Sequence, residues 1–216
     1  MRIKIHILMV LTAAFSATLA VPEVYADTAS SREYQIKAAF LYNFLQFVDW
    51  PKEKIADANK PIIIGIIGDD PFGNVIEPLK DKPVEGRKIV IQRFKSFESL
   101  KKAGENDAAG AKQNIKALGE CHVLFICASE NKNLREIVES VKNSGVLTVG
   151  EAEGFLDVGG IVNFVMADEK VGFEISIASA KHAGLEIRSK LLRLAKKVIQ
   201  EDAASGILGE EKRDSA

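Results

Sequence analysis

The sequence predicts an α/β fold: a single domain with a mostly parallel central sheet, helices on both faces and an antiparallel hairpin near the C-terminus. Residues 62–68 are continuously apolar, which is typical of a strand covered on both faces. Strand and helix patterns then alternate as far as residue 149, which indicates parallel pairing. Residues 161–165 and 171–175 are apolar runs separated by a short polar turn, so we predict that they form the hairpin.

The N-terminus has the pattern of a cleaved signal peptide covering residues 1–26. Arg2 and Lys4 precede an apolar core of about 13 residues, which is shorter than the roughly 20 that a bilayer requires. Small residues follow, and cleavage is predicted after Ala26, with Ala20 as the alternative site. Such a leader indicates export, so the mature chain is expected in the periplasm.

The composition is that of an ordinary globular protein, with 47% apolar residues and a formal net charge of −1 over 216 residues. Phosphate contacts to nucleic acid need a basic excess, which this chain lacks, so no nucleic acid is expected as a partner. Residues 27–203 are predicted to form one domain, followed by a flexible tail at residues 204–216 that has no apolar periodicity.

The first structured element is predicted to be a helix from residue 33 to residue 50, ending before Pro51. Apolar residues at helical spacing cover roughly half of its circumference, which is wider than the stripe of an ordinary surface helix. Two large aromatics, Tyr42 and Trp50, fall on its polar side. We therefore expect either a second layer of the protein or a binding partner to cover them.

The strands of the parallel part of the sheet are predicted from apolar runs bounded by turn residues. They are residues 62–68, 88–92, 122–126 and 146–149, with a short helical piece at 74–80.

The helices that follow are predicted from capping residues and apolar stripes. Ser129 and Asn131 are candidate caps for a helix whose apolar residues run from Leu134 to Val141. The Gly/Ala-rich segment 104–113 is predicted to be a surface loop.

The last helix is predicted over residues 187–200, with an apolar stripe on one side. Basic residues line its opposite side, and two of them, Arg193 and Lys197, are candidates for contact with a partner. The alternative is that this basic side is merely solvated.

The two cysteines, Cys121 and Cys127, lie six residues apart in an apolar run. If that run is one straight strand, their Cα atoms are about 20 Å apart, at ~3.3 Å per residue. A disulfide requires roughly 4.4–6.8 Å, so we predict two buried free thiols. A bridge would require the strand to stop before Cys127.

No motif for catalysis, cofactor binding or metal binding is present. Gly65, Gly68 and Gly73 do not have dinucleotide-binding spacing, and Pro71 falls where the binding helix would begin. No G-x-S-x-G occurs, and His122 and His182 are too far apart in sequence for a metal-binding motif. We therefore expect neither an enzyme nor a cofactor.

Carboxylates after two of the predicted strands are candidates for small-ligand binding. Asp69 and Asp70 follow the first buried strand, and Glu151 and Asp157 follow the fourth. Open α/β sheets bind ligands at this edge. The alternative is that these are solvated loop carboxylates.

Several stretches, in this order and spacing, resemble the YfiR family of periplasmic proteins across nearly the whole mature chain. They are residues 38–44 (AAFLYNF) with 47–51 (FVDWP), 121–126 (CHVLFI), 149–151 (VGE) with 154–155 (GF), 159–164 (GGIVNF), 173–175 (FEI), and 183–185 (AGL) with 189–195 (SKLLRLA).

The resemblance implies a non-enzymatic regulator. Well-known members bind the periplasmic sensor domain of an inner-membrane diguanylate cyclase and hold it inactive, and an outer-membrane lipoprotein can sequester the inhibitor. Cyclic di-GMP then rises and biofilm formation follows. A related sensor kinase is a second type of partner that we consider. The alternative function is that of a periplasmic small-molecule sensor. The oligomeric state is left open, with a dimer as one option.

Some members of the family respond to redox state through cysteine pairs. This chain departs from that pattern, since residues 151–165 contain no cysteine and Cys121 has no obvious partner elsewhere.

Overall fold

The computed structural model describes residues 24–102 and 108–200. Most of the predicted signal peptide and the whole of the predicted tail therefore lie outside the described residues. The described chain forms strands β1 (Val48–Asp49), β2 (Ile62–Ile67), β3 (Ile89–Phe94), β4 (Val123–Ile126), β5 (Leu147–Gly150), β6 (Val162–Ala167), β7 (Lys170–Ser176), β8 (Glu186–Ile187) and β9 (Lys197–Ile199). Its α-helices are α1 (Val24–Phe47), α2 (Phe97–Lys102), α3 (Ala108–Gly119), α4 (Leu134–Val141), α5 (Ile177–His182) and α6 (Ser189–Leu192), and its 3-10 helices are Gly73–Asp81 and Ala128–Asn133.

The central sheet has seven strands in the order β3-β2-β4-β5-β6-β7-β9. The pairs from β3 to β6 are parallel, β6 and β7 form an antiparallel hairpin, and β9 adds in parallel to β7. This arrangement confirms the predicted α/β class, including the hairpin near the C-terminus.

The continuous apolar strands place side chains alternately on two hydrophobic cores, one on each face of the sheet. On one face α1 covers the sheet, and its Phe40 and Phe44 rings pack against Phe164 and Phe173 at centroid distances of 5.1–6.1 Å, the shortest being Phe40 to Phe173. On the other face, helices α2, α3 and α4 bury residues such as Leu118. Helices therefore lie on both faces, as predicted.

Helix α1 ends at Phe47, three residues before the predicted end at Trp50. Val48 and Asp49 instead pair in antiparallel fashion with Ile187 and Glu186. This pairing brings together residues that are far apart in sequence, so local spacing did not reveal it.

The predicted last helix over residues 187–200 is wrong. The segment is divided into β8, the single-turn helix α6 and the edge strand β9. The N–H of Lys196 donates to the carbonyl of Phe173 at 2.8 Å, and β9 then continues along β7. The free edge of β7 therefore determines the conformation of this segment, overriding its helical spacing.

The predicted loop over residues 104–113 is wrong from Ala108 onward, because α3 begins there. Ser129 and Asn131 do not cap α4. Asn131 lies inside the 3-10 helix that precedes α4, and the Ser129 hydroxyl accepts the N–H of Asp69 at 2.9 Å. Ser129 therefore ties the loop after β2 to the loop after β4.

Candidate functional site

Three of the four predicted ligand residues lie at the carboxyl edge of the parallel strands. Asp69 and Asp70 follow β2, Glu151 follows β5, and the thiol of Cys127 follows β4 between them. Burial is the largest cause that raises the pKa of this thiol, and the charges of Asp70 and Glu151 raise it further. The acidic groups are therefore close to one another, as the topology of an open sheet predicts.

Helix α1 brings a buried cation to this cluster. The Lys37 ammonium, whose side chain is 5% exposed, forms ion pairs with Glu33 and, at 2.6 Å, with Glu151. The hydroxyl of Tyr34 donates to Glu151 at 3.2 Å, and burial raises the pKa of that hydroxyl, helped by the negative charge of Glu151. Glu151 is thus paired within the protein, and its contacts with Lys37 and Tyr34 tie α1 to the edge of the sheet.

Asp70 is also engaged by the protein itself. Its carboxylate accepts the N–H of Phe72 at 2.8 Å and the Arg93 Nε at 2.7 Å. The ring of Phe72 in turn packs edge-on against Tyr34 at 5.2 Å and against Phe125 at 4.8 Å. This edge of the sheet is consequently built as a packed junction between α1 and the strand loops.

Asp157 lies apart from the other three predicted ligand residues. It lines a cavity of about 300 Å³ whose other walls come from α4, from the loop 156–159 and from α5. Arg135 of α4, Lys142 directly after α4 and Ser179 of α5 are among the polar side chains that line it. The structure therefore divides the predicted ligand cleft into two separate places.

The two aromatics predicted to contact a partner are half-buried and make contacts within the chain. Tyr42 donates its hydroxyl to the carbonyl of Pro83 at 3.2 Å, and the Lys82 ammonium lies 5.0 Å from its ring centroid. Trp50 donates its indole N–H to the carbonyl of His122 at 3.2 Å. Other parts of the protein therefore cover part of each aromatic ring. Contact of the remaining part with a partner stays a prediction.

The two basic residues predicted to contact a partner lie in the C-terminal segment of the domain. Arg193 follows α6, Lys197 begins β9, and both are exposed. Neither forms an ion pair with another described residue. Their role as partner-binding residues also stays a prediction.

Both cysteines are buried free thiols, as predicted from the length of the intervening strand. Burial raises the pKa of Cys121 to about 12. A thiol with such a pKa is almost entirely protonated at neutral pH and is therefore a poor nucleophile.

His122 is a buried histidine at the amino edge of β4. Its Nδ1 accepts the N–H of Ile63 at 3.1 Å, so the neutral ring carries its proton on Nε2, which has no hydrogen-bond partner among the described residues. Burial, followed by the positive charges of Lys54 and Arg87, lowers the pKa of His122 to about 4.

We expect His122 to make stability depend on pH below about 6.5, the pKa of an unfolded histidine. Between pH 6.5 and pH ~4, His122 is protonated in the unfolded state but largely neutral in the folded state. The stability that is present above pH 6.5 is therefore lost as the pH falls. The loss should be roughly 2 kcal/mol between pH 7 and pH 5. Chemical unfolding of the wild type and of His122→Asn, which retains an acceptor for Ile63, measures it. A stability difference between the two that does not change with pH would contradict this account.

Two lysines that connect elements of the fold were missed in the sequence. Lys37 has a detectable pattern, because Glu33 and Lys37 have the i,i+4 spacing of a helical ion pair. Lys54 has no such pattern, because the polar sequence around it is typical of a solvent-exposed loop. Its ammonium donates to the carbonyl of Gly119 at the C-terminal end of α3, where the helix dipole favours a cation, and to that of Ser144 in the turn after α4.

Within residues 24–102 and 108–200, no group of His, Cys, Asp and Glu side chains is arranged to hold a metal ion. None of the described helices is long and apolar enough to cross a membrane.

Comparison with solved structures identifies the same type of fold. A crystal structure of a conserved domain protein from Vibrio cholerae is similar with a TM-score of 0.50 and 10% sequence identity, covering 76% of this chain and 60% of that one. The chain thus spans less than two thirds of the Vibrio protein. An ABC domain in complex with L-Trp from Streptococcus pneumonia aligns with a TM-score of 0.46 and 13% identity, over 64% of this chain and 55% of that one. No curated protein matches the chain.

A family model described as YfiR/HmsC-like matches residues 34–196. The match begins in α1 at Tyr34 and ends just before β9. It therefore includes Asp69, Asp70 and Glu151 at the carboxyl edge, and nearly the whole sheet. The chain therefore belongs to the YfiR/HmsC-like family, whose known members are regulators in cyclic di-GMP signalling rather than catalysts.

Proposed function

We propose that this protein binds the periplasmic sensor domain of an inner-membrane diguanylate cyclase, or of a related sensor kinase, and represses it. The observation that carries the proposal is the family match over residues 34–196. The leader pattern of residues 1–26 supports a periplasmic location. In this role the protein is a binding module whose release raises cyclic di-GMP and promotes biofilm formation.

The chemistry of the described residues agrees with a binding role. The carboxylates of Asp70 and Glu151 are engaged by Arg93 and Lys37 within the chain. Burial raises the pKa of the Cys121 thiol, which disfavours the nucleophilic thiolate. An outer-membrane lipoprotein that sequesters the protein would relieve the repression by competing with the sensor.

The test compares cells with and without the gene. Deletion should raise cyclic di-GMP and biofilm mass, and affinity-tagged protein should recover an inner-membrane diguanylate cyclase or sensor kinase from detergent-solubilised membranes. Unchanged cyclic di-GMP together with recovery of no such protein would refute the proposal.

Replacing Tyr42 and Trp50 by alanine is expected to weaken recovery of the sensor roughly tenfold or more, because aromatic anchors dominate many interfaces. Tyr42→Phe and Trp50→Phe are the controls, since each keeps an aromatic ring while removing the donor to Pro83 or to His122. Circular dichroism checks that each variant is folded. Full recovery by a folded double alanine variant would exclude both residues from the interface.

A periplasmic small-molecule sensor is the second candidate function. It is favoured by the cavity of about 300 Å³ beside Asp157, which is near the lower limit for ligand pockets. A thermal-shift screen with nucleotides, amino acids and anions tests it, since a ligand stabilises the folded state by mass action. The absence of any shift would count against this candidate.

A further inference from the structure

An apolar groove lies between α5 and α6 in the C-terminal segment. It has a volume of about 410 Å³, enough for one or two large side chains. Its apolar lining is formed by Ile177, Ala180, Leu185, Ile187 and Leu192. Ala180 and Leu185 are buried in the hydrophobic core on the α1 face of the sheet, so they form a fixed base for the groove. The other three residues are half-buried.

The segment that forms this groove is strongly basic. Residues 177–199 contain six lysine or arginine residues and one acidic residue, Glu186, although the whole chain has a net charge of −1. Lys181 and Glu186 line the groove itself, and Arg193 directly follows Leu192 of its wall. Lys197 begins β9, against which α5 packs.

Most of these cations form no ion pair with another described residue. Arg188 pairs with Asp49. Five others are exposed and form no ion pair with a described residue: Lys181, Lys190, Arg193, Lys196 and Lys197. Lys190 does lie over the ring of Phe47, at 4.6 Å from its centroid, but this contact leaves its charge uncompensated. The groove therefore has Lys181 in its lining and further cations, Arg193 and Lys197, on the adjoining segment. An apolar groove beside such cations attracts a ligand that is apolar at its centre and acidic at its margins.

The shape of the groove favours a peptide segment over a lipid surface. Peripheral binding to a bilayer needs apolar side chains that project from the protein. Here Leu194, at 52% exposure, is the one large apolar residue of the described segment 177–199 that projects strongly. The remaining apolar surface is concave, and concave apolar sites receive side chains from a partner.

We propose that the groove between α5 and α6 docks an acidic segment of the partner protein that inserts an apolar side chain between the two helices, while Arg193, Lys197 and Lys181 bind the flanking carboxylates. The proposal rests on the proposed function, because the partner it describes is the sensor protein. It adds the chemistry by which that partner is recognised and the part of this chain that recognises it.

The experiment uses the full chain and a fluorescein-labelled peptide in which acidic residues flank central leucines, with anisotropy as the readout. Arg193→Glu/Lys197→Glu should weaken peptide binding at least roughly tenfold at low ionic strength. Ile177→Gln, which makes the groove wall polar without changing charge, should weaken it severalfold. Lys88→Glu/Lys132→Glu is the matched control, because both lysines are exposed and unpaired among the described residues and the change in net charge is the same. This control should bind like the wild type.

Failure of the wild type to bind the acidic peptide, or an equal loss of affinity in the control, would overturn the proposal. Unchanged affinity in Ile177→Gln would also overturn it, since binding would then be general attraction to positive charge. Vesicles of phosphatidylglycerol and phosphatidylcholine form a separate arm, and binding to them without binding to the peptide would assign the surface to a membrane. None of these results depends on recovering a cyclase from cells, so failure of this inference is distinguishable from failure of the proposed function.

Discussion

Replacing Lys37 by methionine is expected to lower the free energy of unfolding by roughly 3–5 kcal/mol. The side chains of Lys37 and Glu151 are 5% and 10% exposed, so the variant leaves a buried carboxylate without its counter-ion. Methionine fills a similar volume and retains the apolar part of the packing, although it loses the cation–π contact of the Lys37 ammonium with the ring of Tyr34. The expected loss in the free energy of unfolding therefore comes mainly from the unpaired carboxylate of Glu151. Urea unfolding followed by circular dichroism measures it.

Two further variants separate the charge from the packing. Glu33→Gln removes the more exposed partner, at 30% exposure, and should cost only about 1 kcal/mol. Adding Glu151→Gln to Lys37→Met removes the unpaired charge and should restore a large part of the lost stability. A double variant that is no more stable than Lys37→Met alone would show that the buried ion pair is not the origin of the loss.

Replacing Gly160 by alanine is expected to destabilise the protein by roughly 3 kcal/mol or more. A Cβ at this position would lie 2.3 Å from the ring of Phe155 and 2.6 Å from its backbone carbonyl oxygen. Phe155 is fully buried and its carbonyl accepts the N–H of Gly160, so neither group can move away without disrupting the turn before β6. Thermal and urea unfolding would both detect a change of this size.

The matched control is Gly119→Ala, whose nearest contact is the Ser144 hydroxyl at 3.0 Å. That small side chain can rotate, so a cost below about 1 kcal/mol is expected. Combining Gly160→Ala with Phe155→Leu should cost less than the two single changes together, because the smaller side chain relieves part of the overlap. Strict additivity would contradict a clash between these two residues.

The parallel strands and the hairpin were predictable because their patterns are local. Residues 62–67 are apolar on both faces, and the β6–β7 pair is marked by two apolar runs around a polar turn. The two free thiols also followed from local geometry, since an extended β4 separates Cys121 from Cys127. Each of these predictions needed only the residues within one element.

The C-terminal segment was not predictable in the same way. Leu191 and its neighbours have helical spacing, yet β9 forms because the edge of β7 offers hydrogen-bond partners to Lys196 and the residues after it. Likewise, Val48 and Asp49 leave α1 because Glu186 and Ile187 are placed beside them. Propensity is weak when a distant strand edge supplies a competing set of bonds.

For the candidate site, the sequence by itself determined which residue types lie at the carboxyl edge, because parallel strands must end there together. Only the tertiary structure decided that Lys37 from α1 neutralises Glu151, and that Asp157 lines a different cavity. It also decided that an apolar groove with Lys181 in its lining lies between α5 and α6. The physical reason is that ion pairs and grooves depend on distances between elements, which periodicity within one element does not contain.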